Sequence, residues 1–493
     1  MKRASLWALA GDIESQADVE WDPSPARLRE ESLRYARRTR TGAIAVVSRK
    51  ARARMPSRTR VIGDGSDEAY DIALEAYDWL LKREYYAVER CIGAGSHRFR
   101  ILGLIEKSYP HLALMAHMNF FPCEREGGTP DIVTIDAPGW RDTWILIERR
   151  TGTTLILGSD YYGELKMSFL RLAMNMSRDL HYSPGLHAGS KLYRVRGRDG
   201  ILREVGVLVF GLSGTGKTTL TLESHGLRPP EKAALRQDDI VILTPDGRAH
   251  GTEFNLYPKT DSVPELPPLY PAVTHQDAVL ENVVVREDGT PDFSDLSITP
   301  NARALAIREA IPLADGRIDL DRVNALFFLT RRPEMPPLAR LTSPEQAAAY
   351  FMLGESFRTS AEAGKPEPVR VPGFDPFMLE PKWRSGYLIM DLVDRLDLEV
   401  YVMNTGYVKD RKVTPDVSKR LMLEAVRGNV EWKLDKELGV EVAVRAGDMP
   451  LDNLLPENVY GPRYPEVVEA LRRERVRFFE EKLPKIRFLA DYV

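Results

Sequence analysis

At 493 residues the chain exceeds what one hydrophobic core supports, since single cores stop growing near ~250–300 residues. It is 43% hydrophobic and 29% charged, as in ordinary soluble globular proteins, and 69 basic against 72 acidic residues leave a net charge of -3. That balance excludes the basic excess of a nucleic-acid binder, and no run of ~18 apolar residues exists to form a transmembrane helix.

The opening MKRASLWALAGDIESQ has a short apolar run broken by Gly11 and Asp12, so it is no secretory signal, and a cytoplasmic protein is expected. The first forty residues are charged and helix-prone, interrupted by Pro23 and Pro25. Residues 41–65 begin as an apolar strand and continue as an arginine-rich loop, either solvated or facing an anion. From Asp67 to about Leu112 the apolar spacing reads mostly as helix. Cys91 and Cys123 fit neither a disulfide framework nor a thiolate metal site and read as two thiols in a reducing cytosol. Asp131–Ala137, Thr143–Ile147 and Thr153–Gly158 read as strands, with a helix over Glu164–Met176.

Residues 177–200 are polar with glycines and Pro184, which places a domain boundary there: 1–183 as a substrate-side domain and 184–493 as a second domain. Beyond it, Asn324–Thr330 reads as a buried strand, 341–354 as a helix capped by Ser343 or Thr342, and 399–406 as a strand ending in a loop. The last fifty residues read as charged helix, and no repeat appears. Dense charge, abundant arginine and scarce cysteine match proteins built for high temperature.

Residues 211–218 read GLSGTGKT, which fits G-x-x-x-x-G-K-[ST] at every fixed position. The apolar run Val205–Phe210 precedes it and a helix-compatible TTLTLES follows, the strand–turn–helix setting such a loop needs. Gly211, Gly214 and Gly216 let the backbone curl so that the N–H groups of Leu212, Ser213, Thr215 and Thr219 with their neighbours point at phosphate oxygens. Lys217 reaches the β- and γ-phosphates and the Thr218 hydroxyl ligates Mg²⁺. The pattern points to ATP.

FGLSGTGKTTLT resembles the phosphate loop of ATP-dependent phosphoenolpyruvate carboxykinases, and other segments fall in that family's order. They are DIVTIDAPGW (131–140), YYGELK (161–166), QDD (237–239), DAVLENVVVREDGTPDF (277–293), PNAR (300–303), LTSPEQAAAYF (341–351) and YVMNTG (401–406). The resemblance covers roughly residues 130–420. It implies an α/β, two-lobed carboxykinase-like fold with the P-loop in the C-terminal nucleotide-binding lobe. It also implies roles: Tyr161 and Lys166 on the substrate side, His187 and Asp239 as metal ligands, and Asp238 meeting the Mg²⁺ through water. Arg303 would bridge the transferring phosphoryl group, and Lys259, Arg411 and Ser418 would serve the nucleotide. Taken alone, each of these residues is an ordinary structural histidine, turn aspartate or surface cation.

Three departures from the family pattern follow. The lysine that binds the second metal, Mn²⁺, is Met167 here, and a thioether is a poor ligand for a hard cation, so that site is weakened. The arginine that grips the oxaloacetate carboxylate aligns with Val47, leaving Arg49 nearby but out of register. Ala188 replaces a cysteine, and the lid expected within 358–374 is unrecognisable. Donor-side residues survive while acceptor-side residues change. That contrast leads to the expectation of a kinase for a small hydroxyl-bearing metabolite, an amino acid such as serine or a sugar, with Asp238 or Asp239 as base. A genuine carboxykinase, with Arg49 or a neighbour in the missing role, and a non-catalytic nucleotide-binding regulator are the alternatives.

Overall fold

A computed structural model describes residues 5–63, 68–95, 97–123, 128–358 and 367–493. Packing divides the chain into two units: Met1–Ala173 with Thr252–Ala314, and Met174–Gly251 with Asp315–Val493. The sequence reading assigns 252–314 to the second domain; in the structure this segment packs with the first unit. Of the segment in which the lid was expected, residues 359–366 lie outside the described residues.

The first unit is mixed α/β. A seven-stranded sheet runs in the order Asp18–Trp21, Glu84–Ile92, Phe99–Glu106, Ile132–Ala137, Thr153–Leu157, Trp144–Glu148, Thr59–Val61. Helices Leu6–Gln16 and Glu68–Leu80 bury Leu6, Leu9, Ile13, Ala69, Ala76 and Leu80 against one face of it. The helical reading of 67–112 is corrected here, because strands Glu84–Ile92 and Phe99–Glu106 lie within it. Phe99–Glu106 is buried on both faces, so its apolar run lacks the alternation that marks a half-exposed strand.

A four-stranded sheet in the same unit sets the functional register. It runs Arg303–Leu305, Val279–Glu281, Ile44–Val46, Arg37–Arg38. Val46 pairs with Glu281 and Glu281 with Arg303, so the loop after Val46 leaves from the same end of the sheet that carries Arg303.

Cys91 and Cys123 form a disulfide, correcting the expectation of two free thiols. The bond joins strand Glu84–Ile92 to the segment after helix Pro110–Asn119, reinforcing the backbone pair between Cys91 and Phe121. Cysteine count alone gives no partner; the pairing comes from strand register, which brings the two Cα atoms to 5.3 Å.

The second unit holds an eleven-stranded sheet. Its centre is parallel: Leu202–Phe210 beside Ala325–Thr330 beside Glu399–Asn404, with Val207 opposite Ala325 and Ala325 opposite Glu399. Strand Gly185–Arg196 falls within the segment read as a polar boundary, and pairs with Leu202–Phe210. Core residues Leu208, Phe210, Leu326, Phe328, Phe351 and Val402 fill one face, and Val207, Val209, Phe327, Leu329 and Met403 the other. Helix Pro344–Leu353 begins at the Ser343 cap as expected, the serine hydroxyl accepting from Gln346 N.

Among the described residues, no helix is long and apolar enough to cross a membrane.

Candidate functional site

In an open parallel sheet, ligands collect beyond the carboxyl ends of the strands. In the second unit the glycine-rich loop leaves the carboxyl end of Leu202–Phe210 and runs into helix Lys217–Thr221. Gly214 and Gly216 adopt φ +77° and +91°, which a side chain resists. A Cβ on Gly211 would stand 2.3 Å from the Thr215 hydroxyl. Thr405, just after strand Glu399–Asn404, donates its hydroxyl to the Thr215 carbonyl at 2.7 Å and braces the loop from outside.

Three side chains converge behind this loop. Lys217 Nζ lies 3.1 Å from His187 Nε2 and 3.3 Å from Asp239 Oδ1. His187 Nδ1 donates to the Phe374 carbonyl at 2.8 Å, so Nε2 of the neutral ring is an acceptor. That acceptor and Asp239 Oδ1 are 3.0 Å apart, a pair that a cation holds together. Here the cation is the Lys217 ammonium. A neutral imidazole and a carboxylate are also suitable donors for a divalent metal, so His187 and Asp239 fit the metal-ligand role, with the Thr218 hydroxyl at the start of the helix as a further donor.

Asp238 is buried beside them. Ser418, in helix Pro415–Val426, is buried with no hydrogen-bond partner for its hydroxyl among the described residues, which leaves it suited to a ligand. Arg411 is exposed and donates to the Asn453 carbonyl at 2.6 Å.

In the first unit the YYGELK segment opens helix Tyr162–His181. Its glycine has a steric reason: a Cβ on Gly163 would stand 2.4 Å from the Tyr161 ring. The Tyr161 hydroxyl accepts from Asn301 Nδ2 at 2.9 Å. Asn301 also donates to the Arg52 carbonyl and accepts from Arg303, tying tyrosine, loop and arginine together. Lys166 Nζ is 3.0 Å from Glu253 Oε1, with the two side chains only 3% and 2% exposed, and Asn119 donates to the same carboxylate at 2.8 Å. Met167 is buried. Lys259, read as a nucleotide contact, sits in this unit opposite Arg303 in a backbone bridge.

The arginine-rich loop is held by one carboxylate. Asp160 accepts from three successive backbone N–H groups, Arg49 at 2.6 Å, Lys50 at 2.9 Å and Ala51 at 3.1 Å. Ser48 N donates to Asn282 Oδ1 at 2.8 Å. The Arg49 guanidinium lies 5.0 Å from the centre of the Tyr35 ring and, among the described residues, donates no hydrogen bond. Val47 is 40% exposed on the same loop. Glu281 accepts from Tyr162 N at 2.8 Å and from the Tyr257 hydroxyl. Burial raises its pKa to about 7, the bonds from Tyr257 and Tyr162 offsetting only part of that cost.

Asp160, Asn301, Glu281, Glu253 and Thr405 escape a reading of the sequence by role. All but Glu253 sit inside or beside a segment that resembles the family, and that adjacency is the signal that could have flagged them.

The family model described as phosphoenolpyruvate carboxykinase matches residues 17–459. The chain belongs to the phosphoenolpyruvate carboxykinase family. A protein of Aeropyrum pernix named phosphoenolpyruvate carboxykinase (ATP) is 66% identical over 487 residues, covering 99% of each chain. A protein of the same name from Staphylococcus aureus strain MSSA476 is 26% identical over 440 residues, 83% of this chain and 79% of its own. The Aeropyrum relative overturns the expectation of a diverged kinase for a hydroxyl-bearing metabolite: a carboxykinase name sits on a protein matching end to end, acceptor-side departures included in the aligned span. Asp239, one of the two bases that reading offered, is engaged by Lys217 and His187.

Proposed function

We propose that the chain is an ATP-dependent phosphoenolpyruvate carboxykinase, converting oxaloacetate and ATP to phosphoenolpyruvate, ADP and CO₂. The observation that carries this is the convergence of Lys217, His187 and Asp239 within 3.0–3.3 Å behind an intact glycine-rich loop. The name of the 66% identical relative supports the same reaction.

On the donor side, backbone N–H groups of 211–219 cradle the ATP phosphates and Lys217 places its charge on the group being transferred. Thr218, His187 and Asp239 would hold divalent cations, which would neutralise charge on the phosphates. Ser418 and Arg411 serve the nucleoside end.

On the acceptor side, Arg49 takes the carboxylate-gripping role of the arginine missing at Val47. The Asp160 clamp fixes its backbone, and the Tyr35 face orients the guanidinium without consuming its donors. Arg303, oriented by Asn301, and Tyr161 and Lys166 complete the acceptor set. Breaking the bond to the departing CO₂ leaves its electron pair on the remaining three carbons as an enolate. The enolate oxygen attacks the γ-phosphorus while the bond from that phosphorus to the β-phosphate oxygen breaks. The chemistry therefore needs cations around the anions and no base, which is what the side chains offer.

The test is incubation with oxaloacetate, ATP and Mg²⁺ or Mn²⁺, following all three products. Phosphoenolpyruvate, ADP and CO₂ in equal amounts are expected. ADP release driven by serine or a sugar, with no phosphoenolpyruvate from oxaloacetate, would overturn the reading.

A further inference from the structure

Lys191 lies in mid-strand on Gly185–Arg196, opposite Val207 on one side and Leu235 on the other, and is 0% exposed. A lysine is almost never so buried unless acceptors compensate its ammonium. Its acceptors are backbone carbonyls: Leu220 O at 2.8 Å and Glu223 O. The Tyr193 ring centre lies 4.9 Å from the same nitrogen. Leu220 belongs to the last turn of helix Lys217–Thr221, whose first residue is the phosphate-loop lysine.

A helix leaves its last carbonyls unsatisfied and partly negative, and a cation there meets both needs. This helix has only five residues, too few to hold its own geometry, so its anchors decide where it sits. Beyond it, the Glu223 carboxylate pairs with Lys419 Nζ at 2.7 Å and accepts from His225 N at 2.9 Å. His225 Nδ1 donates to the Lys419 carbonyl at 3.1 Å, leaving Nε2 to accept from the Tyr193 hydroxyl at 2.7 Å. Lys419 follows Ser418 on helix Pro415–Val426.

We propose that Lys191 is a positioning residue for the nucleotide: its buried ammonium fixes the carboxyl end of the phosphate-loop helix and, through Glu223 and His225, ties that helix to the one bearing Ser418. The proposal rests on the reading that the loop holds ATP. Removing the ammonium orphans two carbonyls, and a one-turn helix relieves that cost by shifting, which displaces Lys217 and Thr218 at its other end.

Ionisation gives a second handle. Burial lowers Lys191 to about 7, with Glu223 opposing. The groups facing this brace are Glu223, His225, Tyr193 and the ammonium of Lys419. Burial would raise Glu223, but Lys419 and His225 together outweigh it and the carboxylate stays low. Burial holds His225 at about 3 and pushes Tyr193 well up, so both stay neutral between pH 6 and 8.5. The ammonium of Lys191 is present below pH 7 and lost as pH rises through it. Stability moves the other way: above pH 7 the folded chain binds fewer protons at this site than the unfolded one, so the group favours folding more as pH rises.

The test uses the full chain, wild type and Lys191→Met, titrated with MgATP by calorimetry at pH 6.5 and 8.5, with KM values and Tm alongside. At pH 6.5 the variant should bind MgATP about tenfold more weakly while KM for oxaloacetate stays within about twofold, and the gap should narrow at pH 8.5. If Lys191→Met does not fold, Lys419→Met at the half-exposed end of the brace should weaken MgATP about threefold with Tm unchanged. A variant that loses Tm but binds MgATP as wild type does would reduce Lys191 to a packing role and overturn the proposal. Wild type that fails to bind MgATP at all would instead overturn the nucleotide reading beneath it.

Discussion

Loop Gly211–Thr219 in the second unit and loop Val47–Arg52 in the first are both assigned to hold anions, yet only the first keeps the family's letters. The glycine-rich loop would grip with its own backbone, and positive φ at Gly214 and Gly216 leaves no freedom to relocate a donor. In the proposed role Arg49 would grip with a long side chain, and a guanidinium can be delivered from more than one backbone position provided something fixes that backbone. Asp160 does so with three hydrogen bonds. Backbone-built recognition therefore keeps its sequence, whereas side-chain recognition can slide along a loop.

The largest expected effect tests the rigid half. Lys217→Ala should fold normally and lose about 10³-fold or more in kcat, because the charge over the transferring group disappears. Turnover within a few-fold of wild type would break the donor assignment.

The movable half should respond differently. Arg49→Ala should lower kcat/KM for oxaloacetate about 100-fold with KM for MgATP unchanged, and Arg49→Lys should recover part of the loss. An Arg49→Ala enzyme with ordinary oxaloacetate kinetics would move the role to another cation.

Metal binding sharpens the contrast: Met167, where the family pattern leads one to expect a metal-binding lysine, lies in the first unit, and His187 and Asp239, the proposed ligands, lie in the second. Mn²⁺ titration with ATP present should show one tight site, and a second that His187→Ala weakens about 10–100-fold further. Two equally tight sites in wild type would mean that another group replaces the lysine.

The smallest effect concerns Glu281, in the row between Val46 and Arg303. Its folded pKa of about 7 lies above the unfolded carboxylate value of about 4.3, so the folded state binds the extra proton between those limits. Its contribution to stability is complete below about pH 4 and lost as pH rises through 7. Glu281→Gln should flatten that slope, raising Tm at pH 8 by about 2–4 °C relative to wild type when both are compared with pH 5. An unchanged slope would assign the pH dependence elsewhere.

Local features are legible in the order of the residues. GLSGTGKT specifies its own turn through glycine dihedrals and a following helix, and strands such as Ile132–Ala137 and Glu399–Asn404 announce themselves by short apolar runs. The ordered family segments determined the lineage but pointed to the wrong acceptor, because a lost arginine at Val47 looks like lost function when only letters are compared.

Tertiary structure decided the rest. It placed 252–314 in the first unit, joined Cys91 to Cys123, gave Arg49 a fixed backbone through Asp160, and buried Lys191 under the phosphate-loop helix. The reason is common to all four. Each depends on residues 29 or more positions apart meeting through strand register and packing, and no local dihedral preference or periodicity encodes which distant partner a side chain will find.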